Sequence, residues 1–420
     1  MMETVLPPVT LLNGCRALDL TDDKGFLCGK ILADLGVDVI KVEPPGGEPS
    51  RRIGPFWHDI PDPEKSLYWF AYNSNKRGIT LNLETSDGKE IFKELAKKSD
   101  FVIESFKPGY LDELGLGYAA LSGLNKGAIL TSISPFGQTG PYKDYEGTDL
   151  VVMGMSGQLY LTGDADRPPV NIGIPQACLH AGLDAGVGSM LAYYYRQKTG
   201  QGQHVDVSMQ QSAAWFLAQT IPYYELSGVV LTRMGTFRTG SSSGTIQRQV
   251  WPCKDGYAFF FMLGGAQGAK TGRALTKWME EAGMSNDFLS NFVWEELDIA
   301  MAPQDLMDRL SAPIEAFFKT CTKKEVLDAA MARNISICPL FSMEDELKDP
   351  HLAARAYWIQ IEHPELGAAI SYPRQFIRSS ECETGTRFRA PLIGEHNAEV
   401  YGEIGLSGGQ LVALKEAGVI

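Results

Sequence analysis

The stretch that decides the fold runs from Thr162 to Ser208: TGDADRPPVNIGIPQACLHAGLDAGVGSMLAYYYRQKTGQGQHVDVS. We interpret it as a strand or loop, a long helix, a basic turn punctuated by glycines, and another strand. Pro175 suits the first helical position, because its missing N–H is not needed there and its ring fixes φ. The pattern therefore predicts a helix that begins at Pro175 and stops within Arg196–Gly200, where cations precede a glycine.

Small side chains follow one side of this predicted helix, so another backbone could approach it closely: Ala177, Ala181, Ala185, Gly188 and Ala192. Cys178 lies in the first turn. Backbone N–H groups are unpaired there and point outward, which favours an anion. The start of this helix is therefore the first candidate for a functional site.

Length and composition bound the remaining possibilities. The chain has 420 residues, enough for two domains, with 44% hydrophobic and 21% charged residues. A net charge of −13 argues against nucleic acid or an anionic membrane as a partner. The first residues lack the pattern of a secretory signal, and no apolar run reaches the roughly 20 residues of a membrane span. We therefore expect a cytoplasmic protein.

The seven cysteines are scattered and show no C-x-x-C spacing. Six equally scattered histidines form no H-x-x-x-H pair. This favours reduced thiols over disulfides and predicts no metal site.

Strand and helix patterns alternate from the start of the chain. Residues 15–43 form a βαβ pattern, and further strands follow near 73–83, 100–105 and 127–134. Alternation of this kind predicts an α/β fold with a mostly parallel sheet, which binds its ligands at the carboxyl ends of the strands.

Several motifs together resemble the class III CoA-transferases, the family of formyl-CoA and carnitine CoA-transferases. They are L-A-D-L-G-x-D-V-I-K-V-E at Leu32–Glu43, F-K-P-G at Phe106–Gly109, F-G-x-x-G-P-Y at Phe136–Tyr142, R-x-K-T-G-x-G-Q at Arg196–Gln203, and P-L-x-G-E-H at Pro391–His396. The resemblance implies a large Rossmann-like domain formed by both chain ends, a smaller inserted α/β domain, and an interlocked dimer. We place the large domain at 1–227, the small domain at 228–338, and the return linker with the rest of the large domain at 339–420.

The resemblance also implies the substrates, coenzyme A or an acyl-CoA together with a carboxylic acid. The residues that it places around CoA are Lys76, Leu81, Ser105, Phe106, Lys107 and Gly137. Asp149 aligns with an acidic residue that supports the catalytic aspartate of relatives. A helix cap or turn residue is an equally good explanation of Asp149.

Two departures from the family concern the chemistry itself. Cys178 stands where relatives carry the aspartate, and Asp22-Asp23-Lys24-Gly25-Phe26 replaces their Ala-Gly-Pro loop. A carboxylate can carry CoA as an enzyme thioester, whereas a cysteine thiolate would keep the acyl group and release CoA. We therefore expect no catalytic residue in this chain. A paralogous catalytic subunit would supply the aspartate, as in heteromeric members acting on benzylsuccinate, an acid of anaerobic toluene degradation.

Several alternatives remain. The helix start could activate Cys178 as an acyl nucleophile, although a small buried cysteine is more often a packing residue. Asp184 could replace the aspartate only through a six-residue shift that breaks the motif. His396 could act as a base, but we prefer a turn at the start of a helix. The chain could also be a non-catalytic acyl-CoA-binding or regulatory subunit. Finally, residues 236–244 predict a flexible polar loop.

Overall fold

The computed structural model describes residues 10–239 and 244–420. The strands are β1 (Arg16–Leu20), β2 (Asp38–Glu43), β3 (Arg77–Thr80), β4 (Phe101–Glu104), β5 (Ile129–Ser134), β6 (His204–Ser208), β7 (Phe237–Thr239), β8 (Ile246–Arg248), β9 (Val250–Cys253), β10 (Gly256–Phe260), β11 (Ile337–Leu340), β12 (Trp358–His363) and β13 (Ala368–Pro373). The polar loop predicted at 236–244 lies partly outside the described residues, and its described part contains β7.

Helices lie between these strands along the described part of the chain. They are α1 (Phe26–Asp34), α2 (Leu67–Asn73), α3 (Ser86–Lys97), α4 (Tyr110–Glu113), α5 (Tyr118–Leu124), α6 (Asp149–Met155), α7 (Gln158–Leu161), α8 (Gln176–Thr199), α9 (Met209–Trp215), α10 (Thr220–Ser227), α11 (Gly265–Glu281), α12 (Asp287–Ser290), α13 (Gln304–Phe318), α14 (Lys323–Arg333), α15 (Met343–Leu347), α16 (Pro350–Ala354), α17 (Asn397–Gly402) and α18 (Gly408–Glu416). Within the described ranges, every helix is too short or too polar to cross a bilayer.

The chain divides into two compact units. The first comprises residues 1–158, 171–227 and 351–420, and the second comprises 159–170 and 228–350. The first and the last described residues thus belong to the same unit. The domain boundaries drawn from the sequence stay a prediction.

The first unit is built on a six-stranded sheet in the order β3-β2-β1-β4-β5-β6. All its strand pairs are parallel, as the register Leu18↔Ile40 between β1 and β2 and Leu18↔Val102 between β1 and β4 illustrates. The strands are largely buried and apolar, as expected for a sheet covered by helices. The predicted α/β class with a parallel Rossmann-like sheet is confirmed.

The carboxyl terminus completes this unit by packing against β3. Val400, Tyr401, Val419 and Ile420 join the same apolar core as the strands. The Tyr401 hydroxyl donates a hydrogen bond to the Thr80 carbonyl at 2.5 Å. These contacts bring the end of the chain to the edge of the sheet that β3 forms.

The second unit has its own core around a three-stranded antiparallel sheet, β11-β10-β9. Trp251 and Phe260 from this sheet pack with Phe318 of α13, with ring centroids 5.8–6.2 Å apart. The β9–β10 hairpin turns at Lys254 and Asp255, as the K-D-G motif indicates.

Helix α8 is the longest helix among the described residues and carries the small-residue face that the sequence predicts. Ala177, Ala181 and Ala185 are fully buried. A Cβ added at Gly182 would lie 2.7 Å from Leu27 Cβ, so the glycine permits the close packing of α8 on α1. The helix begins at Gln176, with Pro175 as its N-cap and not its first residue. This one-residue difference leaves Cys178 in the first turn.

Candidate functional site

A cavity of about 560 Å³ opens at the carboxyl ends of strands β1 to β4. This is the side of a parallel sheet on which ligands bind, next to the point where the strand order reverses at β1. Its described lining combines apolar walls with four carboxylates and includes no lysine or arginine: Leu20, Thr21, Asp22, Val42, Glu43, Pro44, Pro45, Glu48, Pro49, Leu81, Asn82, Leu83, Glu84, Ser105, Phe106, Tyr110 and Gly418.

The structure brings three of the predicted CoA-contacting residues, Leu81, Ser105 and Phe106, together in this cavity. Lys107 follows directly and is exposed, outside the lining. Gly137 lies elsewhere, with φ +87°, and an added Cβ would approach Ser208 Cβ at 3.3 Å. The predicted set is therefore divided between the cavity wall, its surroundings and the neighbouring strand ends.

Lys76 is buried and takes part in an ion-pair network beneath the cavity. Its ammonium donates hydrogen bonds to Asp19 Oδ2 at 2.8 Å, to the Phe26 carbonyl at 3.0 Å and to Asn73 Oδ1 at 2.9 Å. Burial, opposed by the charge of Asp19, lowers the pKa of Lys76 to about 8. These contacts hold the ammonium in the protein interior, away from the cavity.

The loop between β1 and α1 forms part of the cavity through Thr21 and Asp22. Ser105 Oγ accepts a hydrogen bond from the Asp22 N–H at 2.8 Å and donates one to Asp22 Oδ1 at 2.7 Å. The Lys24 ammonium forms an ion pair with the same carboxylate. This loop thus presents a carboxylate, Asp22, to the cavity.

Cys178 lies at the start of α8 and is 3% exposed. Its N–H donates a hydrogen bond to Asp149 Oδ1 at 3.0 Å. Asp149 is the first residue of α6, and its carboxylate thus satisfies a backbone donor in the first turn of α8.

The surroundings of Cys178 are unfavourable to a thiolate. Burial raises the pKa of the Cys178 thiol well above its ordinary value, and the negative charges of Asp23 and Asp149 raise it further. A helix start can lower the pKa of a cysteine, but burial and the neighbouring carboxylates both act on Cys178 in the opposite direction. The thiol is therefore neutral near pH 7.

Two features of this region were not predicted from the sequence. Tyr68 and Tyr72 of α2 lie near Cys178, and burial raises the pKa of both hydroxyls. Glu104 ends β4 beneath the cavity, and burial raises its pKa to about 7. A glutamate closing an apolar strand was the only sequence signal for Glu104, and no pattern connects α2 with α8.

Comparison with known proteins agrees with this architecture. The model of CoA-transferase family III matches residues 12–397. The chain belongs to the class III CoA-transferase family.

Two relatives in this family share the full length of the chain. It is 34% identical over 408 residues to succinyl-CoA:(R)-benzylsuccinate CoA-transferase subunit BbsE of Thauera aromatica, covering 96% of this chain and 97% of the relative. It is 30% identical over 425 residues to the succinyl-CoA–L-malate CoA-transferase beta subunit of Chloroflexus aurantiacus, covering 99% of each. A CAIB/BAIF family protein from Brucella suis has the same fold, with a TM-score of 0.79 at 30% identity over 94% of this chain and 100% of that one.

The remaining candidates for class III chemistry lie outside the first turn of α8. Asp184 lies more than two turns beyond Gln176, near His180. His396 Nδ1 accepts a hydrogen bond from the Gly78 N–H at 3.1 Å, and the residue immediately precedes α17. His396 thus joins the carboxyl terminus to β3, as expected of a structural turn.

We expect Cys178→Ala to leave CoA transfer within about twofold of wild type, because burial and neighbouring carboxylates disfavour the thiolate that a nucleophile requires. The lost packing should cost about 1 kcal/mol of folding free energy. Initial rates and urea unfolding measure the two effects. Iodoacetamide labelling provides a comparison within the chain, because exposed Cys338 should react much faster than buried Cys178 near neutral pH. A large loss of activity in Cys178→Ala would contradict this account.

Proposed function

We propose that this chain is the non-catalytic subunit of a heteromeric CoA-transferase, in which a paralogous chain supplies the aspartate that carries CoA. The main support is the first turn of α8, where a buried neutral thiol stands among carboxylates. A nucleophile for this reaction must attack a thioester and then carry CoA itself, which a carboxylate does and this thiol does not. Neighbouring carboxylates would also oppose the oxyanion that forms during attack.

The surface of the first unit supports a partner chain. An apolar stripe follows α8 at helical spacing, formed by Leu183, Val187, Leu191 and Tyr194, which are 44–64% exposed. Trp215 of α9 is 73% exposed. Monomeric proteins rarely leave large contiguous apolar surfaces in water. We infer that the stripe, Leu183–Tyr194, contacts the paralogous subunit.

The names of two relatives agree with this proposal. Both are subunits, and both pair succinyl-CoA with a dicarboxylic acid, benzylsuccinate or malate. We therefore propose a dicarboxylic acid as acceptor, with benzylsuccinate as the first to test. The cavity holding Leu81, Ser105 and Phe106 is the proposed CoA site of this chain. The alternative is a regulatory subunit that binds acyl-CoA. Binding of CoA to this cavity without CoA transfer by this subunit would support that alternative.

The proposal is tested by purifying the chain alone and together with the paralogue encoded beside it. CoA transfer from succinyl-CoA to benzylsuccinate is then measured for each preparation. Activity confined to the complex supports the proposal. Turnover by the lone chain at the rate of the complex refutes it.

The apolar stripe gives a separate prediction about assembly. Val187→Glu combined with Leu191→Glu places two charges in the proposed contact. We expect this double variant to raise the Kd of the complex at least about a hundredfold. Gln201→Glu is the control, because it adds one such charge at an exposed polar position just beyond α8. Co-purification and analytical ultracentrifugation measure assembly. Unchanged assembly of the double variant would exclude the stripe from the interface.

A further inference from the structure

Glu104 is a buried carboxyl that shapes one wall of the cavity. It ends β4, and its Oε2 accepts a hydrogen bond from the Phe106 N–H at 2.7 Å. This contact turns the chain out of the strand, so that Ser105 and Phe106 face the cavity. The carboxyl also bonds to Ser132 of β5, whose Oγ lies 2.9 Å from His204 Nε2. Glu104 therefore connects the cavity wall to the neighbouring strand β5 and, through Ser132, to His204 at the start of β6.

The charges facing Glu104 favour its protonated form. Burial raises its pKa to about 7, and the hydrogen bonds from Ser132 and Phe106 only partly oppose this. Asp22 of the β1–α1 loop and Asp112 of α4 raise the pKa further. Burial lowers the pKa of nearby His204, although the charges of Asp206 and Asp112 oppose this. Glu104 is therefore poised to exchange a proton near neutral pH.

The cavity above Glu104 is also acidic. Its carboxylates are Asp22, Glu43, Glu48 and Glu84. Arg51 pairs with Glu43 at 2.6 Å, and Lys24 pairs with Asp22. Burial raises the pKa of Glu48, although Lys41 opposes this. A ligand bearing phosphates adds negative charge to this field, which strengthens proton binding by every carboxyl nearby.

We propose that Glu104 positions the Phe106 wall of the cavity and takes up a proton when a phosphorylated ligand such as CoA binds. This inference rests on the proposed CoA site. By linkage, proton uptake on binding means that affinity falls as pH rises. The protonated carboxyl keeps a carbonyl oxygen that accepts the hydrogen bond from the Phe106 N–H. Protonation therefore removes the negative charge while Phe106 stays in its position in the cavity wall. Glu104 is a positioning residue and takes no part in the transfer itself.

Calorimetric titration of the intact chain with CoA tests this coupling. Between about pH 6 and about pH 8 the Kd of the wild type should rise up to about tenfold, the limit for one proton with a midpoint near 7. Glu104→Gln keeps the shape and the acceptor oxygen but cannot ionise, so its Kd should change less than about twofold. Glu94→Gln is the control, because Glu94 lies on α3, is exposed and pairs with Lys97.

Two further measurements separate the possible outcomes. Dephospho-CoA lacks the phosphate monoester that titrates near pH 6, so an unchanged pH dependence with this probe assigns the proton to the protein. Binding heats in two buffers of different ionisation enthalpy measure proton uptake by the wild type, independently of any variant. Binding without proton uptake, or an unchanged pH dependence in Glu104→Gln, overturns this inference alone. No binding of either probe at any pH overturns the proposed CoA site as well.

Discussion

The chain purified alone is expected to transfer CoA at least about a thousandfold more slowly than the complex with its paralogue. The reason is chemical. Transfer needs a group that accepts the acyl moiety as an anhydride and then holds CoA as a thioester, and Cys178 provides a buried neutral thiol at that position. Succinyl-CoA consumption and acceptor-CoA formation, followed by chromatography, measure both preparations.

A pair of variants assigns the activity within the complex. Replacing the aspartate of the paralogue by asparagine should abolish transfer, whereas Cys178→Ala in this chain should not. The two substitutions occupy corresponding positions, so each is the control for the other. Equal loss in both variants would show that this chain contributes a group to the chemistry.

The second large effect concerns the buried charges beneath the cavity. Asp19→Asn is expected to lower the free energy of unfolding by about 3–5 kcal/mol, the usual result of removing one partner from a buried ion pair. The Asp19 carboxylate forms ion pairs with two fully buried lysines. Its Oδ1 lies 3.3 Å from Lys41 Nζ, and its Oδ2 lies 2.8 Å from Lys76 Nζ. Although burial opposes ionisation, these lysines lower the pKa of Asp19 to about 2. Urea unfolding at neutral pH measures the change.

The pH dependence of this variant has a definite sign. Without Asp19, the folded-state pKa of Lys76 falls further below its unfolded value, so the unfolded chain binds more protons. Stability of Asp19→Asn should therefore rise with pH toward the unfolded pKa of lysine, more steeply than in the wild type. Asp144→Asn in an exposed loop is the control and should change stability little. A loss below about 1 kcal/mol for Asp19→Asn would contradict the assigned network.

Local patterns in the sequence were sufficient to predict the main elements of the fold. The βαβ pattern at 15–43 corresponds to β1, α1 and β2, and the small-residue face of α8 is buried as expected. These features depend on neighbours in sequence and on helical or strand periodicity. The helix begins one residue later than predicted, with Pro175 as its N-cap, because a proline fits the N-cap as well as the first turn of a helix.

The electrostatics of the site could not be derived in the same way, since they depend on residues distant in sequence. Lys76 belongs to a basic turn that suggests ligand binding, yet its ammonium is paired with Asp19 from another strand. The helix start alone suggested a reactive Cys178, and only the fold brings Asp23 and Asp149 close enough to oppose its ionisation. The motifs predicted three residues of the cavity, Leu81, Ser105 and Phe106, but they did not predict that carboxylates line it.

Trapping the enzyme-bound coenzyme tests the central claim most directly. The complex is incubated with succinyl-CoA alone, the thioester intermediate is cleaved with hydroxylamine or reduced with borohydride, and both chains are mapped by peptide mass spectrometry. We predict a modified aspartate on the paralogous chain and unmodified Cys178, Asp22 and Asp23 on this one. A coenzyme-derived modification on any residue of this chain would contradict the account.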